Sequence, residues 1–213
     1  MKKTLLIFLF VSATFLTKAQ TTHFGIEAGL NLSNQSRTNF PVNLDSKYLT
    51  GFNLGGIVDI SYQNFSIQPG LFFSTRGEKI TIQLVNQDQQ NVGASNSKIT
   101  LNYIQVPIIF LYKIAFNKEA NFHFGGGPYV GYGISASDNT DGKSYPAAFN
   151  KSSANVLNYK NPDYGVSFVA GTTLQNKFIV DAGYSLGLAN LYYVGPASLH
   201  NRAITLSIGY LFK

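Results

Sequence analysis

A chain of 213 residues fits one medium-sized domain. Only 12% of its residues are charged, against roughly 25% in an ordinary soluble domain, while aromatics reach 14% and cysteine is absent. That balance excludes a charge-rich soluble helical protein and a disulfide-stapled one. It suits a strand-rich chain whose outer surface does not face water.

The N-terminus, residues 1–19, reads as a cleaved secretory signal. Met1-Lys2-Lys3 is positive, Leu5 to Leu16 is apolar except for Ser12 and Thr14, and Thr17-Lys18-Ala19 offers a small residue before Gln20. The run is too short for a span of ~20 residues. With no cysteine after it, a lipid-modified N-terminus is not expected. Cleavage removes Lys2, Lys3 and Lys18 and no acid, lowering the net charge from +6 to +3. No run of basic residues remains, so a nucleic-acid partner is not expected. No later segment has ~20 continuous apolar residues, so an exported chain of this kind crosses a membrane only as a closed barrel. Residues 20–213 are predicted to be that one domain.

The first predicted strand is Phe24 to Leu32. Phe24, Ile26, Ala28, Leu30 and Leu32 share one parity, Gly25, Glu27, Gly29 and Asn31 the other. After a polar loop, 33–50, the second strand runs from about Gly51 to Tyr62, with Phe52, Leu54, Val58, Ile60 and Tyr62 on the apolar face. Gln63-Asn64 is a tight turn. The third strand, from Phe65 to about Arg76, carries Ile67, Leu71 and Phe73 outward, and Pro69 predicts a bulge because it lacks a ladder donor. A polar loop, 77–98, leads to the fourth strand, from about Ile99 to Ile114. That strand is apolar on both parities, with Ile104, Val106, Ile108, Phe110 and Tyr112 assigned outward. The fifth, Phe122 to Ile134, sets Phe124, Val130 and Tyr132 against His123, Gly125, Gly127, Tyr129 and Gly131. The longest loop, 135–162, precedes the sixth strand, Asp163 to Leu174. A short turn at Gln175-Asn176-Lys177 begins the seventh, from Phe178, and after a loop from Ala189 the eighth covers Arg202 to Phe212.

Connections therefore alternate long and short, and strand lengths match the ~9–11 residues a tilted strand needs to cross a bilayer. Tyr62, Phe65, Tyr112, Phe122, Tyr210 and Phe212 recur near strand ends, as an interfacial aromatic girdle requires. The opposite parity is small and polar, the inverse of a soluble ligand-binding barrel. The predicted fold is all-β: an eight-stranded antiparallel up-and-down transmembrane barrel bathed in lipid.

Glu27, Asp59, Arg76 and Asp181, together with His123, fall on the inward parity. The lumen of eight strands is narrow enough for side chains to fill, so a structural network around Arg76, with the acids as its partners, is expected. Gly125-Gly126-Gly127 precedes no helix and fits neither phosphate-loop pattern. Asp138-Asn-Thr-Asp-Gly142 lacks calcium-loop spacing and reads as a loop tip with an Asp-Gly turn. His200 with Ser198 nears the exterior rim without a carboxylate, so no catalytic triad, cofactor or metal is expected. Contact with a protein partner is expected through loops 33–50, 77–98 and 135–162; a small passive pore is the alternative, and a lipid-modifying outer-membrane enzyme a remoter one.

Pro69-Gly70-Leu71 with Ser74-Thr-Arg-Gly77, Tyr103-Ile-Gln-Val-Pro107, Gly127-Pro128-Tyr129 with Gly131, Tyr184-Ser-Leu-Gly-Leu-Ala-Asn190 and Leu206-Ser-Ile-Gly-Tyr-Leu-Phe212 occur in this order. In these pieces the chain resembles the PorT-type outer-membrane β-barrel proteins of Bacteroidetes-like bacteria. The resemblance covers about residue 20 to the C-terminus. It implies outer-membrane residence and insertion by the barrel assembly machinery, for which the final aromatic is here Phe212, followed by Lys213. One branch of that family assists a secretion system.

Overall fold

The computed structural model describes residues 20–39, 44–85, 91–150, 157–192 and 196–212. The signal segment 1–19 lies outside the described residues, as do parts of the long connections. Ten strands form: β1 (Thr21–Thr38), β2 (Asp45–Tyr62), β3 (Phe65–Val85), β4 (Asn91–Ala115), β5 (Asn121–Thr140), β6 (Lys143–Phe149), β7 (Leu157–Tyr159), β8 (Asp163–Leu174), β9 (Phe178–Gly187) and β10 (Ser198–Phe212). Eight of them close a ring in the order β1-β2-β3-β4-β5-β8-β9-β10, each antiparallel to its neighbours, and β10 returns to pair with β1. Strands β6 and β7 are appended to the far end of β5. Among the described residues no helix is long and apolar enough to cross a membrane.

Period-two patterning fixes which face is which. Phe24, Ile26, Leu30, Leu54, Phe65, Leu71, Phe110, Val130, Phe168, Leu206 and Ile208 all stand exposed, whereas the opposite parity faces the lumen and is mostly buried or half-buried. In β4, where both parities are apolar, Ile104, Val106, Ile108, Phe110 and Tyr112 point out and Tyr103, Gln105, Ile109 and Leu111 point in. The apolar belt ends in aromatic rings at both rims. At the short-turn end Phe65, Tyr112 and Phe124 follow one another at 5.1 and 5.9 Å between centroids, and Phe178, Tyr210 and Phe212 at 5.4 Å each. At the other end Phe52 stacks on Phe73 at 5.5 Å.

Two sequence-based expectations need correction. The segments 33–50, 77–98 and 135–162 are not irregular loops: the strands run on through most of their described residues. β3 reaches 21 residues and β4 25, and Asp141-Gly142, both at positive φ, form the two-residue turn that joins β5 to β6. Beyond the belt the outward face of β3 and β4 turns polar while Ile80, Ile99 and Leu101 fill the inward one, so the apolar parity changes face while the backbone ladder continues. The bulge expected at Pro69 is also absent. Ile57↔Gly70 and Ile60↔Ile67 keep one register across it, and Pro69 itself stands opposite Ile108. Register shifts fall instead between Tyr48 and Asn53 and between Asn102 and Tyr103, at the upper rim.

Candidate functional site

The candidate site is the lumen, which each strand lines with every second side chain. Nearest the short turns, Asp59 accepts from Ser61 (2.8 Å), Ser66 (2.5 Å) and the Lys113 ammonium (2.6 Å). Across the ring, His123 Nε2 meets Asp181 Oδ1 at 2.7 Å, and Thr173 lies 3.5 Å from its Nδ1. Glu27 accepts a 2.5 Å hydrogen bond from Ser207. Ile57, Phe72, Ile179 and Leu211 pack into an apolar plug at this level.

Above the plug lies a chamber of about 90 Å³, bordered by Glu27, Asn31, Ser74, Arg76, Gln105 and Ser185. Ligand pockets usually run to ~300–1,000 Å³; this one suits a few waters. Arg76 Nε and Asn53 Oδ1 border it with no protein partner among the described residues, the setting in which buried water is ordinarily held.

The chamber's roof is built around Arg76. Its Nη2 donates to Gln105 Oε1 (2.8 Å) and Nη1 to the Tyr129 hydroxyl (3.2 Å), with the guanidinium over the Tyr129 ring and Asp163 Oδ2 3.6 Å away. Asn201 then donates to Asp163 (3.0 Å) and to the Tyr103 hydroxyl (3.1 Å), and accepts from Gln35. Higher still, Arg37 forms a bidentate pair with Glu78, which also accepts from Ser46. Finally Ile80, Ile99, Leu101, Tyr103, Tyr159 and Leu191 close the mouth as a second apolar cluster. Phe149 of β6 reaches over it, with its ring 5.5 Å from Tyr103 and against the space a side chain would take at Gly133.

Glu27, Asp59, Arg76, Asp181 and His123 are thus all buried in the lumen, but they do not form one network. Asp59 belongs with Lys113, Asp181 with His123, and Glu27 with Ser207. The carboxylate facing Arg76 is Asp163. The reason is height: in the wound ring Arg76 stands beyond the chamber, opposite the start of β8, while the other three acids lie near the short-turn end. Reading the sequence missed Asp163, Lys113 and the Arg37–Glu78 pair, though inward parity in β8 and β4 marks the first two. His200 and Ser198 share one face of β10, opposite Ser36 and Thr38 of β1. Among the described residues no group of three or more His, Cys, Asp or Glu is arranged to hold a metal ion.

A ring of eight antiparallel strands with an apolar exterior, aromatic rims and a charged, filled interior defines a membrane-spanning β-barrel of the outer-membrane type. The chain belongs to the outer membrane protein beta-barrel domain family, whose model matches residues 18–193. Its location is the outer membrane. No curated protein matches it. Among solved structures it is similar to Ail, the attachment invasion locus protein of Yersinia pestis (15% identity, 90% of this chain and 99% of that one, TM-score 0.44). It is also similar to Neisserial surface protein A (13%, 89% and 96%, 0.45) and to OprG from Pseudomonas aeruginosa (10%, 91% and 97%, 0.47).

Proposed function

We propose that this barrel is a closed scaffold of the PorT-type group of Bacteroidetes-like bacteria. In this reading the barrel assembly machinery inserts it, and it presents its exterior strands to a protein partner in envelope or secretion assembly. The observation that carries the proposal is the double closure of the lumen. Two apolar clusters and the intervening ion pairs leave a chamber of only about 90 Å³, which argues against the passive-pore alternative. The extensions of β3, β4 and β5 with β6 supply a rigid surface outside the membrane, where contact residues are well placed. Enzymatic activity is not part of the proposal. Among the described residues the one His–Asp ion pair is His123–Asp181, which is buried in the lumen.

Cross-linking and co-purification from native outer membranes, with a tag placed between Asn150 and Leu157, tests the scaffold reading. A stoichiometric protein partner is expected; recovery of the barrel alone, together with steady conductance in a planar bilayer, would favour the pore.

A further inference from the structure

The sheet assembles a basic row that no run of sequence contains. Lys47 of β2 stands directly opposite Lys79 of β3, and Lys79 directly opposite Lys98 of β4; the next position across is Asn139 of β5. All three lysines are exposed, on the outward wall, and they line one shallow groove with Asn139 and Asp141. Like charges set directly opposite each other oppose pairing of the strands. Two carboxylates are near. Asp45 is 3.9 Å from Lys47, and the Asp141 carboxylate is engaged by the Asn96 N–H and the Ser95 hydroxyl. Among the described residues Lys79 and Lys98 have no ion-pair partner.

The wall beneath the row is polar too. Below Lys79–Lys98–Asn139 come Gly77–Thr100–Ser137 and then Thr75, Asn102 and Ser135. In the lower rung Thr75 is itself buried and its hydroxyl donates to the half-buried Asn102 (2.8 Å), whose amide donates to the exposed Ser135 (3.3 Å). The last apolar outward pair, Phe73 and Ile104, follows below that. Lys79 is therefore six residues above the belt, ~20 Å along a strand and, at a tilt of ~35–45°, ~15 Å above the hydrocarbon. Phospholipid headgroups occupy only ~5–8 Å on each side. A ligand that meets the row while remaining beside the barrel must carry its anions on sugars raised above the acyl chains.

We infer that the Lys47–Lys79–Lys98 row and the hydroxyl- and amide-lined wall below it bind a phosphate-bearing glycolipid of the outer leaflet. Its acyl chains lie on the belt, its sugars pass the Thr, Ser and Asn rungs, and its phosphates bridge the lysines. The bridging anion relieves the repulsion within the row.

The test is native mass spectrometry of the intact barrel in detergent, titrated with an acylated glucosamine disaccharide extended by a phosphorylated core oligosaccharide, whose outer phosphates stand above the acylated sugars. Wild type is expected to retain one molecule. The triple variant Lys47→Gln/Lys79→Gln/Lys98→Gln should weaken binding on the order of 100-fold, since each lysine near an anionic surface contributes about fivefold. The corresponding triple Lys→Arg variant should retain it, and Lys118→Gln/Lys177→Gln at the opposite rim should be neutral. Unchanged heat-modifiable migration on gels confirms that each variant is folded. Equal binding by the Gln triple variant, or by the dephosphorylated glycolipid, overturns the proposal. Equal binding of phosphatidylglycerol would show a general anionic-lipid contact instead, and equal binding of the deacylated phosphorylated oligosaccharide a soluble glycan; either result also overturns it.

Discussion

Arg76 shows what a buried charge demands of its surroundings. Its guanidinium is 4% exposed and Asp163 1%, so neither ion is open to bulk solvent; Gln105 and Tyr129 each accept from one Nη, while Nε faces the small chamber. Removing one partner of a buried pair costs about 3–5 kcal/mol because the other charge is left uncompensated. Arg76→Ala should therefore lower stability by that amount in urea unfolding from micelles, and Asp163→Asn added to it should restore part of the loss. Loss of stability in the double variant equal to the two single losses combined would separate the residues energetically. Asp141 is a different case, a solvent-exposed carboxylate outside the membrane. The Asn96 N–H and then the Ser95 hydroxyl hold its pKa below the ordinary value of 3.8. Folding lowers this pKa, so its contribution to the β5–β6 turn is complete above the ordinary value. It is lost as pH falls through the lowered one. A carboxyl titration by NMR should show that depressed midpoint, and Ser95→Ala should move it upward. The inward position of Arg76 was legible from parity alone. Its partner was not, because parity assigns a face and leaves open the height at which two strands meet around a ring.

At the scale of the strand, the sequence marks the lipid-facing half far better than the half outside. Between the aromatic rims, lipid on one side and a packed lumen on the other force a period of two, and every outward residue of β8 and β10 could be assigned from it. Above the rim the outward face turns to water and the apolar parity of the belt is broken, so Ser33 to Thr38, Asp45 to Thr50 and Gly77 to Val85 read as loops although they are paired strand. The glycines of β5 have a role that composition alone conceals. A Cβ at Gly127 would lie 1.9 Å from the Ile108 carbonyl oxygen, and one at Gly125 1.8 Å from that of Phe110. Both contacts are with backbone, which cannot swing aside, so these glycines let β4 and β5 approach closely. Gly127→Val should abolish the heat-modifiable band shift of the folded barrel. Gly142→Ala tests another property: its Cβ would meet nothing within 4 Å, but its φ is +80°. A loss of only about 1 kcal/mol is expected there.

For the whole molecule, the decisive property is that its two closures are independent. The lower one is the Ile57–Phe72–Ile179–Leu211 plug. The upper one joins β3, β4, β7, β10 and the 188–191 connection around Leu191, which is fully buried. Leu191→Ala should cost about 2–5 kcal/mol as a cavity forms, because the strands above the membrane depend on that cluster as a small core. It should nevertheless leave a planar bilayer silent, since the lower plug and the Arg76 layer still block the lumen. Phe72→Ala/Ile179→Ala should likewise be silent, since Arg76, Asp163 and the upper cluster still close the exterior side. Steady current is expected only when the lower pair is combined with Arg76→Ala and Leu191→Ala, which joins the chamber to both ends. A current in either partial variant would mean that one closure already governs passage, and the barrel would then be a gated channel instead of a scaffold.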